Sequence, residues 1–121
     1  MHELSIAQSL VEMACEQAER ENATRVLSIS IRIGALAGVV KEALLFSFDL
    51  AVEGTICEGA SLAIEEVPIT VLCPVCDVPR TLTDAWHFMC PVCGTPTSNI
   101  LSGRELDLSS IEIEDHVAPH P

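Results

Sequence analysis

The chain contains no tyrosine, and one tryptophan with three phenylalanines makes aromatics only 3% of its residues. Since 49% of the chain is nonetheless hydrophobic, its core must be aliphatic. Basic side chains are scarce: six Lys and Arg stand against 18 Asp and Glu, for a formal net charge of −12. That balance argues against nucleic acid, whose phosphates are met by clustered Lys and Arg. An acidic surface suits a basic protein partner or a cation. No stretch approaches the roughly 18 apolar residues of a membrane-spanning helix. The first residues, Met1-His2-Glu3-Leu4, lack the basic start and apolar run of a secretory signal. The chain is therefore expected in the cytoplasm, with its thiols reduced. No Ser/His/Asp or Cys/His set and no phosphate loop stands out, so no catalytic activity is expected.

What is present is cysteine in pairs. Cys73-Pro-Val-Cys76 is followed, after 13 intervening residues, by Cys90-Pro-Val-Cys93-Gly94. A two-residue gap lets both sulfurs of one turn face a common ion. Proline fixes φ after the first cysteine, and Gly94 permits the positive φ that such a turn needs. Two facing turns supply four thiolates in the tetrahedral arrangement that zinc accepts. Four cysteines fill the coordination shell, so the metal is read as structural, with its binding energy spent on folding a short polar segment. Iron in a rubredoxin-like electron carrier is the rival metal, but the segment offers only Trp86 and Phe88 as aromatic cover. Two disulfides would require an oxidising compartment. His87, three residues before Cys90, is expected to rest on the knuckle rather than replace a cysteine. Arg80 is the one Lys or Arg inside the module. Cys15 reads as a small buried hydrophobe on a helix, and Cys57 as a mildly exposed loop thiol.

Taken in order, Leu4, Ala7, Leu10, Val11, Ala14 and Ala18 recur at helical spacing and predict an amphipathic helix from Glu3 or Ser5 to Glu21, stopping near Asn22. Leu27, Ile29, Ile31 and Ile33 alternate with polar residues, as a half-buried strand does. A second helix is expected over Lys41–Glu53, with Leu44, Leu45, Phe48 and Val52 inward and Gly54 ending it. Leu62 and Ile64 begin another strand on even positions, and Val67, Ile69 and Val71 continue on odd ones. The last strand, Arg104–Ile113, switches parity in the same way. A switch of parity marks a bulge, and its presence in both predicts two antiparallel neighbours flanking the metal module. The expected fold is α+β: a three-stranded, mostly antiparallel sheet with two helices, plus a small inserted four-cysteine zinc-ribbon-like domain. Asp115–Pro121 reads as a disordered tail, and no internal repeat is read.

His2 places an α-amine, a backbone amide and an imidazole in successive chelate rings, a nitrogen-rich set suited to Ni(II) or Cu(II). By itself, any chain can begin Met-His. Several further blocks, however, follow it in order: Met1-His2-Glu3-Leu4-Ser5, Ile33-Gly34, Phe46-Ser47-Phe48, Gly54-Thr55, Glu58-Gly59-Ala60, the two cysteine knuckles and Gly103-Arg104-Glu105-Leu106. In these the sequence resembles the HypA/HybF family of hydrogenase maturation factors, from Met1 to about Ile113. The resemblance implies a nickel metallochaperone that hands Ni(II) to the large subunit of a [NiFe]-hydrogenase beside a HypB-type nickel GTPase. It implies nickel ligation at Met1 and His2 with Glu3 associated, and structural zinc on Cys73, Cys76, Cys90 and Cys93. It divides the chain into a nickel-binding α+β domain, residues 1–68 and 100–121, and a zinc domain, residues 69–99. No nucleic acid and no membrane are expected as partners, and the oligomeric state is expected to be a monomer or weak homodimer. His116 and His120 fall in the tail beyond the resemblance; weak nickel binding there is the alternative to a plain solvated tail. A zinc-ribbon interaction module remains the other reading of the knuckles.

Overall fold

The computed structural model describes residues 3–114 and 116–119. The first element is helix α1, Glu3–Arg20, whose buried positions Ala7, Leu10, Val11, Ala14, Gln17 and Ala18 follow the anticipated stripe. Leu4, counted on that stripe, is exposed, because it lies in the first turn. The helix ends as its sequence requires. Asn22 takes a left-handed φ of 57°, the Ala23 amide donates to the Ala18 carbonyl, and the Asn22 amide donates to the Glu19 carbonyl. This is a Schellman close, with asparagine in the position that glycine usually fills.

Strand β1, Val26–Gly34, buries Ile29, Ile31 and Ile33 as anticipated. Leu27 is exposed, and Val26 is buried in its place. Helix α2, Lys41–Ala51, buries Leu44, Ser47 and Phe48 and packs on α1. Val52 is buried just past its end, but Leu45 faces out, with Phe46 and Leu50 also exposed. The apolar stripe of α2 is thus narrower than its composition suggests. No side chain of its own caps α2; its N-cap residue Val40 instead donates its amide to Glu3 Oε2 at 3.2 Å. Glu3 therefore does from another helix what a capping-box glutamate does from within.

The remaining strands are β2 (Ser61–Val67), β3 (Thr70–Leu72), β4 (Pro79–Thr81), β5 (Ile100–Ser102), β6 (Leu106–Ile113) and β7 (His116–Pro119). One sheet runs β2-β1-β6-β7 and the other β4-β3-β5. The two-helix α+β fold with a four-cysteine module is as expected, with two corrections of detail. The three anticipated strands gain a fourth from the supposed tail: β7 pairs antiparallel with β6, placing His116 opposite Ile113 and Pro119 opposite Ser110. The parity switch also has another cause in the first of the two strands. Pro68, which has no amide to give a ladder, separates β2 from β3, and a register shift follows at Thr70/Val71. In the last strand, burial moves from Leu108 to Ile111 and Ile113 within continuous β6. The two long strands are not neighbours, because β1 lies between β2 and β6; the antiparallel pairing at the metal module is between β3 and β5.

The chain divides into two compact units, one of Met1–Arg32, Val39–Glu65 and Asp107–Pro121, the other of Ile33–Gly38 and Glu66–Leu106. The first has an aliphatic core that includes Leu10, Val11, Ile29, Ile31, Leu44, Ile111 and Ile113. The second is much leaner: Ile69, Val71 and Leu82 are buried, with Leu36, Ala85, Phe88 and Ile100 packed against them. At about 1.5–3 kcal/mol per buried aliphatic side chain, so few residues hardly offset the entropy of ordering the segment. Within this unit the Gly34 amide donates to the Glu105 carbonyl and Leu36 to the Gly103 carbonyl. A Cβ on Gly34 would overlap the Gly103 backbone, so only glycine permits that approach. No helix among the described residues is long and apolar enough to cross a membrane.

Candidate metal centre

The four paired cysteines converge. Their Sγ atoms all lie within 4.8 Å of one another, and those of Cys73 and Cys93 are 3.5 Å apart. Zn–S bonds of about 2.3 Å in a tetrahedron set sulfurs about 3.8 Å apart, so the cluster has the size and donor chemistry of a four-thiolate zinc site. Among the described residues, no other group of three or more His, Cys, Asp or Glu brings its ligand atoms together in this way.

Each knuckle is a hairpin turn built on the same plan. In the first, Asp77 donates its amide to the Cys73 carbonyl at 2.8 Å, and Cys73 donates to Val78 at 3.3 Å. In the second, Gly94 donates to the Cys90 carbonyl at 2.8 Å, and Cys90 donates to Thr95 at 2.9 Å. The pivots both have positive φ, 54° at Asp77 and 76° at Gly94. Glycine meets the expectation made of it; aspartate does the same work because its short side chain tolerates that conformation. The two turns are a seven-residue repeat, Cys-Pro-Val-Cys-Asp-Val-Pro at 73–79 and Cys-Pro-Val-Cys-Gly-Thr-Pro at 90–96, which corrects the reading that the chain has no internal repeat. The first knuckle joins β3 to β4, and a bridge between Met89 and Pro96 closes the second. Thr97 ties the two together: its hydroxyl donates to the Leu72 carbonyl at 2.8 Å and its amide to the Phe88 carbonyl at 2.9 Å.

Backbone amides point at the sulfurs. The Cys76 amide donates to Cys73 Sγ at 3.3 Å. The Cys93 amide, opposed by burial and helped by the Val92 amide, brings the Cys90 thiol down to about 6. The Thr95 hydroxyl, followed by its amide, lowers the Cys93 thiol. Thiolates are the form a metal binds, and these contacts favour that form at Cys90 and Cys93. Cys73 and Cys90 are buried, Cys76 is half-buried and Cys93 is exposed. The Arg80 guanidinium lies beside the sulfurs of Cys76 and Cys90, whose charge raises its pKa, and so brings a positive charge to an anionic cluster. Arg80 stood out in the sequence only as a lone cation in the module, and Thr97 gave no signal at all.

His87 is not part of the cluster. It is exposed, and its Nδ1 lies 3.5 Å from Asp84 Oδ1, while the Asp84 carboxylate also accepts the Trp86 and His87 amides at 2.8 Å each. His87 shares a shallow cleft with Cys90, Pro91 and Gly94, so it lies beside the knuckle. Of the anticipated nickel residues, Glu3 opens α1 and holds the Val40 amide; Met1 and His2 lie outside the described residues, as does His120. Cys57 corrects its expectation: it is fully buried, not mildly exposed, because the turn carrying it is pinned against the core. Its sulfur is 3.6 Å from that of Cys15, which is half-buried.

Comparison with known proteins places this geometry. The chain is 50% identical over 115 residues to the hydrogenase maturation factor HypA of Roseiflexus sp., covering 95% of this chain and 94% of that one. It is 50% identical over 112 residues to its counterpart in Chloroflexus aurantiacus, covering 93% and 98%. Its fold resembles the solution structure of the Ni metallochaperone HypA from Helicobacter pylori, with a TM-score of 0.67 at 24% identity over 93% of this chain and 97% of that one. Residues 1–113 match the family described as hydrogenase/urease nickel incorporation, metallochaperone, hypA, and the chain belongs to that HypA family.

Proposed function

We propose that this protein is a non-catalytic nickel carrier. It takes Ni(II) at its N-terminus through the Met1 amine, the His2 imidazole and intervening backbone nitrogen, with Glu3 beside them. It passes the ion to the large subunit of a [NiFe]-hydrogenase in concert with a HypB-type GTPase. The match to the nickel-incorporation family from residue 1 through both knuckles carries this reading. The chemistry of the donor sets supports it. Cys73, Cys76, Cys90 and Cys93 form a complete soft-donor cluster suited to resident Zn²⁺, which would hold the lean second unit together and leave no open position for cargo. Nickel therefore calls for a separate set, and nitrogen donors at a chain terminus both favour it and release it readily. Nickel binding is assigned to the first compact unit and zinc to the second, whose span, Ile33–Gly38 and Glu66–Leu106, is wider than the 69–99 expected from the sequence. The protein works in the cytoplasm as a monomer or weak homodimer, and engages neither nucleic acid nor membrane. An electron-carrier reading is disfavoured by Trp86, which is 84% exposed and leaves Phe88 as the one aromatic side chain packed in that unit's core.

The test is to compare nickel binding by protein with a free N-terminus and by protein whose N-terminus is extended by a short fused peptide. Loss of the high-affinity event in the extended form is expected. Undiminished binding would refute the terminal site.

A further inference from the structure

Two of the six cysteines, Cys15 and Cys57, have no place in the metal cluster. They are 42 positions apart in sequence, yet their Sγ atoms meet at 3.6 Å, within the first compact unit. Each sulfur hangs from a fixed frame. Cys15 lies in the middle of α1. Cys57 lies in a turn held on every side: the Ile56 carbonyl accepts the Val26 amide at 2.9 Å, the Cys57 amide donates to Thr55 Oγ1 at 3.0 Å, and the Cys57 carbonyl accepts the Ala60 amide at 2.9 Å.

Access to the two sulfurs is unequal. Cys57 is fully buried. Cys15 lines an open cleft of about 540 Å³, together with Gln8, Glu12, Glu16, Ala51 and Thr55. Burial, reinforced by the neighbouring Cys15, also pushes the Cys57 thiol up to about 12. A reagent in solvent therefore meets Cys15 first, and Cys57 is positioned to react only with what forms on Cys15.

We propose that Cys15 and Cys57 form an oxidation site, a dithiol that a small-molecule disulfide converts into an intramolecular cross-link between α1 and the turn after α2. The Cys15 thiolate attacks one sulfur of the reagent, breaking its S–S bond and releasing one thiolate. The Cys57 sulfur then gives up its proton and attacks Cys15 Sγ, expelling the second thiolate. The two protein thiols lose two electrons and two protons, and the reagent becomes two thiols. Closing from 3.6 Å to a bond of about 2.05 Å needs a shift of about 1.5 Å, within reach of side-chain rotation.

The test uses zinc-loaded full-length protein and glutathione disulfide, read by intact mass, peptide mapping and zinc content. The parent should lose the mass of two hydrogens, yield a peptide linking Cys15 to Cys57 and keep its zinc. The melting temperature of the first unit should rise by roughly 10 °C, since the link closes a long loop in the unfolded chain. Cys57→Ser should stop at a glutathione adduct on Cys15, and Cys57→Ala should do the same if serine disturbs the core. Cys15→Ser should take up no glutathione. Parent protein with both thiols still alkylatable after denaturation would overturn the proposal. So would cross-links confined to Cys73, Cys76, Cys90 and Cys93 with zinc loss, or an adduct on Cys57 in Cys15→Ser.

Discussion

Replacing Thr97 by valine keeps the shape of a buried side chain and removes one hydroxyl. That hydroxyl donates to the Leu72 carbonyl at 2.8 Å and accepts the Asn99 amide at 3.3 Å. The Asn99 amide is at an exposed residue and can turn to water, so its loss is cheap. The Leu72 carbonyl has less choice: its register partner on β4 is Pro79, which has no N–H. Losing one net hydrogen bond and leaving a half-buried carbonyl poorly satisfied costs about 1.5 kcal/mol. If metal binding folds this unit, that cost should appear as zinc affinity weakened roughly tenfold. Chelator competition on the metal-free and reloaded protein measures it. Thr97→Ser, which keeps the hydroxyl, should stay within about threefold of the parent. Parent-like affinity in Thr97→Val would refute the idea that this residue couples the two knuckles to folding.

Gly34→Ala should cost roughly 3 kcal/mol or more, since its Cβ would overlap the Gly103 backbone, which cannot step aside; near-parent thermal stability by calorimetry would contradict this. Asn22→Ala should destabilise the first unit by about 1 kcal/mol through the left-handed φ, while Asn22→Gly should be neutral or slightly stabilising; denaturant titration distinguishes the three proteins. Stripping zinc with a chelator should abolish amide protection across residues 66–106 while α1 keeps its helical circular dichroism signal. Protection that survives metal removal would show that Ile69, Val71 and Leu82 suffice as a core.

Much of this was legible in the sequence because it rests on local chemistry. The stripe of α1, the alternation of β1 and the paired cysteines each carry their own signal, and each is where expected. What was missed depends on partners distant in the chain. Leu45 looks inward by composition, but the narrow contact of α2 with α1 leaves it out. Cys57 sits in a turn and so looked exposed, yet Val26, far along the chain, anchors that turn. The short tail joins the sheet because β6 offers a free edge, a partner that residues 116–119 do not themselves announce. The seven-residue repeat was visible, and Asp77 hid it by standing where Gly94 stands in the second copy. The proposed nickel residues show the opposite case: no periodicity or spacing marks Met1 and His2, and their chelating chemistry, open to any chain that begins Met-His, gains weight only from the family resemblance.

In the mechanism proposed for this protein, cargo nickel is held at the N-terminus while zinc stays on the thiols. Calorimetric nickel titration of untagged, zinc-loaded protein, beside a His2→Ala variant, tests it most directly. A one-to-one Ni(II) event is expected in the parent and should disappear in the variant, with zinc content unchanged in both. Equal nickel binding in both proteins would contradict it and move the site to His116 and His120, or to the cysteines.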